Sequence, residues 1–276
     1  MNKSLTLNLE LARRVELAEA LVGVGCAQTF LRLRPQGGAA FERYAGGFAI
    51  YCGPSSPLTQ AVALGLDGAT TDAELDRLEA FYRDRNEPVR AEMCPLADGK
   101  LFARFGRDGY SVTEFTNVMA QAISPGCSGP DGSTQTSQVT VEKVGDEQVD
   151  LWAETVADGF ADHPPSLPEI VELMKMMALS PAVECYLGRV DGRAAGAGAL
   201  SLRDGVATLF AASTLSAFRG RGVQTALLHA RLARAAEGGA DLAMCLAQPG
   251  SISQRNVVRQ GFQVLYTRVK FEKGWG

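Results

Sequence analysis

The residues best suited to chemistry lie between positions 211 and 228, where an apolar stretch runs into an Arg/Gly-rich turn and then into an amphipathic helix. Gly220 and Gly222 allow the backbone to turn tightly and to approach a ligand closely. The first amides of the following helix lack intrahelical acceptors, and the helix dipole makes that end partly positive. Arg219 and Arg221 add guanidinium groups whose forked donors match phosphate oxygens. The segment therefore predicts a phosphate or diphosphate site.

Two common phosphate-binding motifs do not fit this segment. A nucleoside-triphosphatase loop requires Gly-Lys-Ser/Thr, which does not follow the glycines. The dinucleotide fingerprint Gly-x-Gly-x-x-Gly fails because the residue three beyond Gly222 is Thr225. An RNA-binding Arg/Gly tail and an ordinary surface turn stay open as alternatives, although a strand pattern and a helix pattern flank the segment.

The segment resembles motif A of the GNAT acyltransferase superfamily, Arg/Gln-x-x-Gly-x-Gly/Ala, in which Arg219, Gly222 and Gln224 would occupy the motif positions. The resemblance extends from residue 136 to the end of the chain, with Gly261-Phe262 and a closing strand in the expected order. It implies an acetyl-CoA co-substrate, bound between the motif A strand and the next parallel strand. The implied cofactor-binding residues are Ser213, Thr214, Leu215, Arg219, Arg221, Gly222, Val223, Gln224, Thr225, Ala226, Ser251 and Asn256.

The resemblance also implies the contacts. Backbone amides of residues 221–226 would hold the diphosphate, and the strand edge at 212–215 would pair with the pantetheine amides. Gln224 departs from the family because it is bulkier than the usual small residue. A second departure is Val257, which stands where many members have a tyrosine that protonates the leaving thiolate. Proton donation would then fall to Ser251, Ser253, Tyr266 or water.

The implied chemistry is direct attack of a neutral amine on the thioester carbonyl. A strand amide near Ser213 or Thr214 would meet the developing oxyanion. The candidate bases are Glu184, Asp162 and His163, of which Asp162 and His163 are also candidate substrate contacts. A solvated surface carboxylate is the alternative for both acidic residues. Glu184 and Ser253 are the residues predicted to be catalytic.

Other reactive side chains are predicted to be structural. His229 lies among apolar residues of the long helix, and Cys245 lies in an apolar strand, which favours a buried thiol over a nucleophile. The six cysteines are widely spaced and the chain has only two histidines, so neither a metal site nor a disulfide framework is predicted. Reduced, mostly buried thiols indicate a cytoplasmic protein.

Length and charge limit the remaining classes. A chain of 276 residues favours two domains. The net charge of −4, from 27 basic and 31 acidic residues, argues against a general nucleic-acid-binding surface. No stretch approaches the roughly 20 apolar residues of a membrane helix. Charges at Glu10, Arg13 and Arg14 interrupt any signal-peptide core.

A Gly/Pro/Ser/Thr-rich stretch at 124–137 predicts a linker between domains 1–123 and 138–276. In the second domain, Asp-Gly turns separate short apolar runs, which is typical of antiparallel hairpins. The fold class predicted is α/β (α+β), with a mixed, largely antiparallel sheet flanked by helices. Its predicted strands are 138–144, 183–190, 194–202, 206–213, 241–247 and 263–271, and its predicted helices are 150–160, 167–179, 223–237 and 251–260.

The first domain repeats part of this order. Met93-Cys94 resembles Met244-Cys245, and Gly109-Tyr110 follows at nearly the spacing of Gly261-Phe262. An internal duplication, with tandem GNAT-like domains, is the interpretation, and chance similarity is the alternative. Acidic residues replace the arginines before a predicted helix at 72–85, which Thr71 or Asp72 would cap. The first half thus resembles a degenerate GNAT module that does not bind coenzyme A.

The function predicted from these features is an N-acyltransferase that moves an acetyl group to a primary amine of a small molecule. The alternative is a non-catalytic acyl-CoA-binding regulatory or scaffolding module. Neither a nucleic acid nor a membrane is expected as a partner, and the residues identify neither the amine nor the oligomeric state.

Overall fold

The computed structural model describes residues 4–123, 139–161 and 167–275 and divides them into two compact units. Unit 1 holds the residues described between 121 and 245, together with 258–261, and unit 2 holds 4–120, 246–257 and the residues from 262 onward. The elements are α1 Leu9–Leu33, β1 Ala40–Tyr44, β2 Gly47–Tyr51, β3 Gln60–Val62, α2 Asp72–Arg83, β4 Val89–Met93, α3 Gly99–Arg107, β5 Ser111–Ala122, β6 Val139–Lys143, α4 Val149–Phe160, α5 Pro168–Ala178, β7 Glu184–Val190, β8 Arg193–Arg203, β9 Val206–Thr214, α6 Val223–Glu237, β10 Leu242–Ala247, α7 Ile252–Arg259 and β11 Gln263–Lys273.

Unit 1 is built on a sheet with the strand order β10-β9-β8-β7-β6. Strands β9 and β10 run parallel and are connected by α6, whereas the other pairs are antiparallel. The turns Asp191-Gly192 and Asp204-Gly205 join the antiparallel strands, and both residues of each turn have positive φ. That geometry matches the twist of a hairpin, which explains why Asp-Gly pairs stand there.

The sequence of β8 explains how two helices pack on this sheet. Ala197 and Ala199 lie on the α4 face, where they share a core with Trp152. Gly196 and Gly198 lie on the α6 face, and a Cβ on either would come within 2.8 Å of an α6 side chain. Because successive residues of a strand point to opposite faces, alternating alanine and glycine lets α6 lie close to the strand.

Unit 2 has the strand order β1-β2-β3-β4-β11-β5, in which β3 and β4 are parallel. Small residues of α1, among them Ala20 and Ala27, pack on Ile50 of β2. Strand β11 pairs antiparallel with both β4 and β5. The last strand of the chain therefore completes the sheet of the unit formed mainly by residues 4–120.

The predicted fold class is confirmed, since each unit is a mixed, mostly antiparallel sheet with helices packed on it. Most predicted elements differ from the observed ones by one or two residues. The predicted helix 72–85 ends at Arg83 because the chain then turns through Asn86, whose φ is +56°. The predicted linker 124–137 lies outside the described residues, and the domain bounds 1–123 and 138–276 stay a prediction.

Candidate functional site

The Arg/Gly segment forms a loop between β9 and α6 in unit 1. Gly220 and Gly222 have φ values of +76° and +82°, so both adopt the left-handed backbone that favours glycine. Gly222 is the N-cap of α6 and provides no side-chain cap. The first intrahelical hydrogen bond runs from the Ala226 N–H to the Gly222 carbonyl, at 3.0 Å. Within the described residues, the preceding amides of 223–225 have no protein acceptor, which is the arrangement that binds an anion.

Two arginines near this loop, Arg193 and Arg221, make cation–π contacts with the Phe218 ring. The Phe218 ring is 7% exposed and has the guanidinium carbons of Arg193 and Arg221 at 5.5 and 5.9 Å from its centroid. Arg221 Nη2 also pairs with Asp191 Oδ2 at 3.1 Å, while Arg219 is exposed. Arg219 and Arg221 of the loop, together with Arg193 of β8, place three guanidinium groups here against the one carboxylate of Asp191, which gives a net positive charge beside the helix N-terminus.

A β-bulge interrupts β9 just before the loop. Phe210 pairs with Ala199 and Ser213 with Ala197, so two residues of β9 lie opposite Gly198. Ala211, in the bulge, has a φ of +49°, a strained value for a residue with a side chain. Pairing between β9 and β10 ends at Leu209 and Cys245, although β9 continues to Thr214. The edge of β9 beyond position 209 is thereby left without a strand partner in β10.

The end of β9 holds the residues predicted to bind pantetheine and the oxyanion. Ser213 is buried and its hydroxyl donates to the Thr155 carbonyl of α4 at 3.2 Å. The Thr214 Oγ1 is buried and has no hydrogen-bond partner among the described residues. The Leu215 N–H donates to the Ala195 carbonyl at 3.0 Å and is therefore not free for a ligand. Gly159 of α4 lies against this end, since a Cβ there would be 2.3 Å from the Ser213 Oγ.

Glu184, a predicted base, is surrounded by donors. Its carboxylate accepts two hydrogen bonds from Arg234, at 2.8 and 3.0 Å, one from the Tyr186 hydroxyl at 3.0 Å, and pairs with Lys143 at 3.1 Å. Burial alone would raise the pKa of Glu184, but these hydrogen bonds outweigh it and the pKa is lowered. A carboxylate held this way is a weak proton acceptor, and its contacts are those of a structural ion pair.

The other predicted site residues lie elsewhere or cannot be described. Ser251 accepts from the Gln254 N–H at 3.1 Å and so caps α7, on which Ser253 is exposed and Asn256 half-buried. These three residues belong to unit 2. Asp162 and His163 lie outside the described residues. Val257, in the position of the family tyrosine, is buried.

Three further side chains are committed to local contacts. The Tyr266 hydroxyl donates to Glu16 at 2.8 Å inside unit 2, and burial raises its pKa. His229 forms a 2.8 Å hydrogen bond with Gln260. Cys245 is a buried free thiol whose pKa is raised to about 12, mainly by burial. None of the three has the environment of a nucleophile or an exposed acid.

The N-terminus of helix α2 in unit 2 has side-chain caps, whereas that of α6 has none. The Thr71 hydroxyl accepts from the Glu74 N–H at 3.2 Å, and Glu74 accepts from the Thr71 N–H at 3.0 Å. This capping box uses two of the amides that an anion would need, those of Thr71 and Glu74. The carboxylates of Asp72 and Glu74 also place negative charge there. The α2 terminus is thus closed to a diphosphate, in contrast to the open terminus of α6.

Sequence reasoning missed three residues that shape this site: Gly159, Arg193 and Arg231. Nothing in the linear sequence brings Arg193, at the start of β8, to the Phe218 ring. Gly159 and Arg231 sit inside helices, where a glycine and an arginine are commonly exposed and uninformative. Their positions follow only from how α4 and α6 pack on the sheet.

Comparisons with known proteins identify a family and a fold. Residues 149–262 match the family model "Acetyltransferase (GNAT) family". No curated protein matches the chain in sequence. Among the residues described, no helix is long and apolar enough to cross a membrane.

Several solved structures share the fold over most of the chain. A GCN5-related N-acetyltransferase from Kribbella flavida is 19% identical, with 93% of this chain and 96% of that chain covered and a TM-score of 0.66. A tandem GNAT protein from the clavulanic acid biosynthesis pathway is 16% identical, with 90% and 86% covered and a TM-score of 0.61. A functionally unknown conserved protein from Staphylococcus epidermidis is 12% identical, with 88% and 96% covered and a TM-score of 0.59. Residues 149–262 therefore form a domain of the GNAT acetyltransferase family, and the chain as a whole shares the fold of these structures.

Proposed function

We propose that this protein is an N-acyltransferase that transfers an acetyl group from acetyl-CoA to a primary amine of a small molecule. The family supports acyl transfer in general. The observation that carries the proposal is the open N-terminus of α6, next to the unpaired edge of β9. The α6 N-terminus offers amides and guanidinium groups to a diphosphate. The edge of β9 offers strand amides to a pantetheine arm.

The diphosphate would bind the amides of 221–225 together with Arg219 and Arg221. Ala226 is left out of this set because its N–H is used in the first turn of α6. The pantetheine arm would pair with β9 beyond the bulge, where strand β10 no longer does. Leu215 contributes by position and not through its N–H, which the Ala195 carbonyl accepts.

In the proposed reaction, the neutral amine attacks the thioester carbonyl carbon, and a carbon–nitrogen bond forms. The carbonyl oxygen becomes an oxyanion near the Ser213 and Thr214 amides, and the orphan Thr214 hydroxyl offers a further donor. Collapse breaks the carbon–sulfur bond and releases the coenzyme A thiolate. We propose that the ammonium proton passes to water and not to Glu184, whose carboxylate is already paired. Water is the proposed proton donor to the thiolate, and Ser253, exposed on α7 of unit 2, stays a prediction.

The test is thiol release from acetyl-CoA with a panel of primary amines. Gly222→Glu should abolish release, because it places a carboxylate and a strained backbone where the diphosphate binds. Gly239→Glu is the matched control: Gly239 is exposed at the other end of α6, has a φ of +75° and has open space around a Cβ. It adds the same charge and similar strain, and should keep activity. Equal loss in both variants, or activity in Gly222→Glu, would refute the assignment.

A second candidate is a non-catalytic acyl-CoA-binding module. The observation that favours it is Val257, which is buried and supplies no hydroxyl at the position of the family tyrosine. The same assay separates the two functions. Tight coenzyme A binding without thiol release from any amine would support the module.

A further inference from the structure

The most unusual buried group of unit 1 is the guanidinium of Arg231. Its side chain is 1% exposed, on α6 about two and a half turns after Gly222. Within the described residues, no carboxylate forms an ion pair with it. Burial lowers its pKa to about 10, so the group is still charged at neutral pH. A buried cation without an ion pair is costly, which calls for a compensating set of acceptors.

Those acceptors are backbone carbonyls from three different elements. Arg231 Nε donates to the Leu227 carbonyl of α6 at 3.0 Å. Its Nη1 donates to the Ala199 carbonyl of β8 at 3.0 Å and to the Phe210 carbonyl of β9 at 3.4 Å. One rigid, planar guanidinium therefore ties the helix to both strands.

The two strand carbonyls mark the place where β9 changes course. Ala199 and Phe210 are the last regular pair before the bulge. Leu209, one residue earlier, is the last residue of β9 that pairs with β10. Arg231 is thus anchored at the point where β9 and β10 separate, while the N-terminus of the same helix follows the loop proposed to bind the diphosphate.

Gly198, opposite the bulge, has no side chain and so leaves room for the Arg231 guanidinium. A Cβ on Gly198 would lie 2.8 Å from the Arg231 Cζ, so any larger residue must displace the guanidinium. The Gly198 carbonyl accepts a hydrogen bond from the Trp152 indole at 3.2 Å, which fixes the backbone from α4. Trp152 therefore holds the bulge through the Gly198 carbonyl, and Arg231 holds it through the carbonyls of Ala199 and Phe210.

We propose that Arg231 is a positioning residue that fixes the spacing between the α6 N-terminus and the open edge of β9. This inference rests on the proposed function, in which the α6 N-terminus binds the diphosphate and the edge of β9 binds the pantetheine arm. A ligand that spans both parts depends on that spacing, whereas a ligand that uses only the helix end does not. Arg231 itself touches neither part of the cofactor.

Calorimetric titration of Arg231→Met with two ligands tests the proposal. Coenzyme A spans both parts, and adenosine 3′-phosphate 5′-diphosphate, its nucleotide half, reaches only the loop. We expect the affinity for coenzyme A to fall at least about tenfold, because preorganisation is lost, and the affinity for the nucleotide to change less than about twofold. A merely destabilising substitution would lower both affinities by the same factor, through the folded fraction.

Leu187→Ala provides that comparison, since Leu187 is fully buried in β7 and lies in the same unit. It should lower the melting temperature and leave the ratio of the two affinities as in the wild type. Gly198→Ala, which keeps the charge and displaces the guanidinium, should repeat the selective loss of Arg231→Met. It also carries the test if Arg231→Met does not fold.

Arg231→Lys should fall between the wild type and Arg231→Met, because one ammonium cannot reach three carbonyls with the same geometry. Equal losses for both ligands, or unchanged coenzyme A affinity in Arg231→Met and Gly198→Ala, would overturn the inference. A wild type without affinity for coenzyme A would instead overturn the proposed function.

Discussion

Arg268 on β11 and Glu16 on α1 form an ion pair in unit 2, with Nε and Oε1 2.8 Å apart and side chains 1% and 0% exposed. The same guanidinium pairs with Glu92 of β4 at 3.0 Å and with Glu19 of α1. Burial alone would lower the pKa of Arg268, but the three carboxylates outweigh it and raise the pKa. The C-terminal strand therefore supplies the charge that the acidic residues of α1 and β4 require.

Removing this cation should destabilise unit 2. Arg268→Met removes the cation that pairs with Glu16 and Glu19 and leaves Glu92 with Lys270 at 3.6 Å. Breaking a buried pair typically costs about 3–5 kcal/mol. Urea denaturation followed by circular dichroism measures the loss. Arg107→Met is the control, since the Arg107 side chain is 70% exposed where it pairs with Asp108. Such an exposed pair is worth less than about 1 kcal/mol. Similar effects of the two substitutions would contradict the role given to Arg268.

Glu19 should make stability depend on pH near neutrality. Burial, opposed by Arg268 and reinforced by Glu92 and Glu16, raises the pKa of Glu19 from 4.5 to about 7. A raised folded-state pKa means that the folded chain binds the proton more tightly. Its contribution is therefore fully present below pH 4.5 and is lost as pH rises through about 7, by up to roughly 3 kcal/mol.

Glu19→Gln should remove this slope. The free energy of unfolding, measured between pH 5 and 8, should fall less with pH in the variant than in the wild type. The difference between the two curves isolates Glu19 from other titrating groups. Parallel curves would mean that Glu19 is ionised in both states throughout the range.

Glu184 should matter for stability and not for proton transfer. Glu184→Gln leaves Arg234 and Lys143 without their carboxylate, and we expect a loss of about 1–3 kcal/mol. Because the pKa of Glu184 is lowered, that stabilisation is present at neutral pH and is lost as pH falls through the lowered value. The pH profile of thiol release should keep its shape. Loss of the acidic limb in the variant would show that Glu184 is the base after all, because protonation of a base lowers the rate at low pH.

The Asp191 carboxylate, which pairs with Arg221 of the loop before α6, should weaken coenzyme A binding. Asp191 pairs with Arg221 at 3.1 Å and competes with a diphosphate for it. Asp191→Asn should tighten coenzyme A binding about two- to fivefold, in line with the strength of an exposed ion pair. Asp204→Asn is the matched control, because Asp204 precedes glycine in the next turn, also has positive φ and is exposed. Titrations in which both variants behave alike would argue against Arg221 as a diphosphate contact.

The local features of this fold are readable from the sequence, whereas its long-range pairings are not. The turn at Gly220 and Gly222, the Asp-Gly hairpins and the helix Val223–Glu237 all follow from short-range patterns. The sequence predicts neither helix α1 nor strands β1–β3. Helix α1 buries mainly small residues, which give no strong apolar period. The pairing of β11 with β4 depends on tertiary contacts between segments far apart in sequence.

The candidate site divides in the same way. The loop residues were found because a glycine- and arginine-rich turn before a helix has a direct chemical meaning. Arg231 and Arg234 look equivalent on one helix, yet only Arg231 is buried and bound to strand carbonyls. Gly198 of strand β8 leaves the room that the Arg231 guanidinium occupies, and no local sequence pattern predicts that contact.

The most direct test is calorimetric titration of the full chain with coenzyme A. The open α6 terminus and the capped α2 terminus predict saturable binding at one site per chain, weakened by salt and abolished in Gly222→Glu. Absence of binding to the folded chain, or two equivalent sites per chain, would contradict the assignment of the diphosphate to the loop before α6.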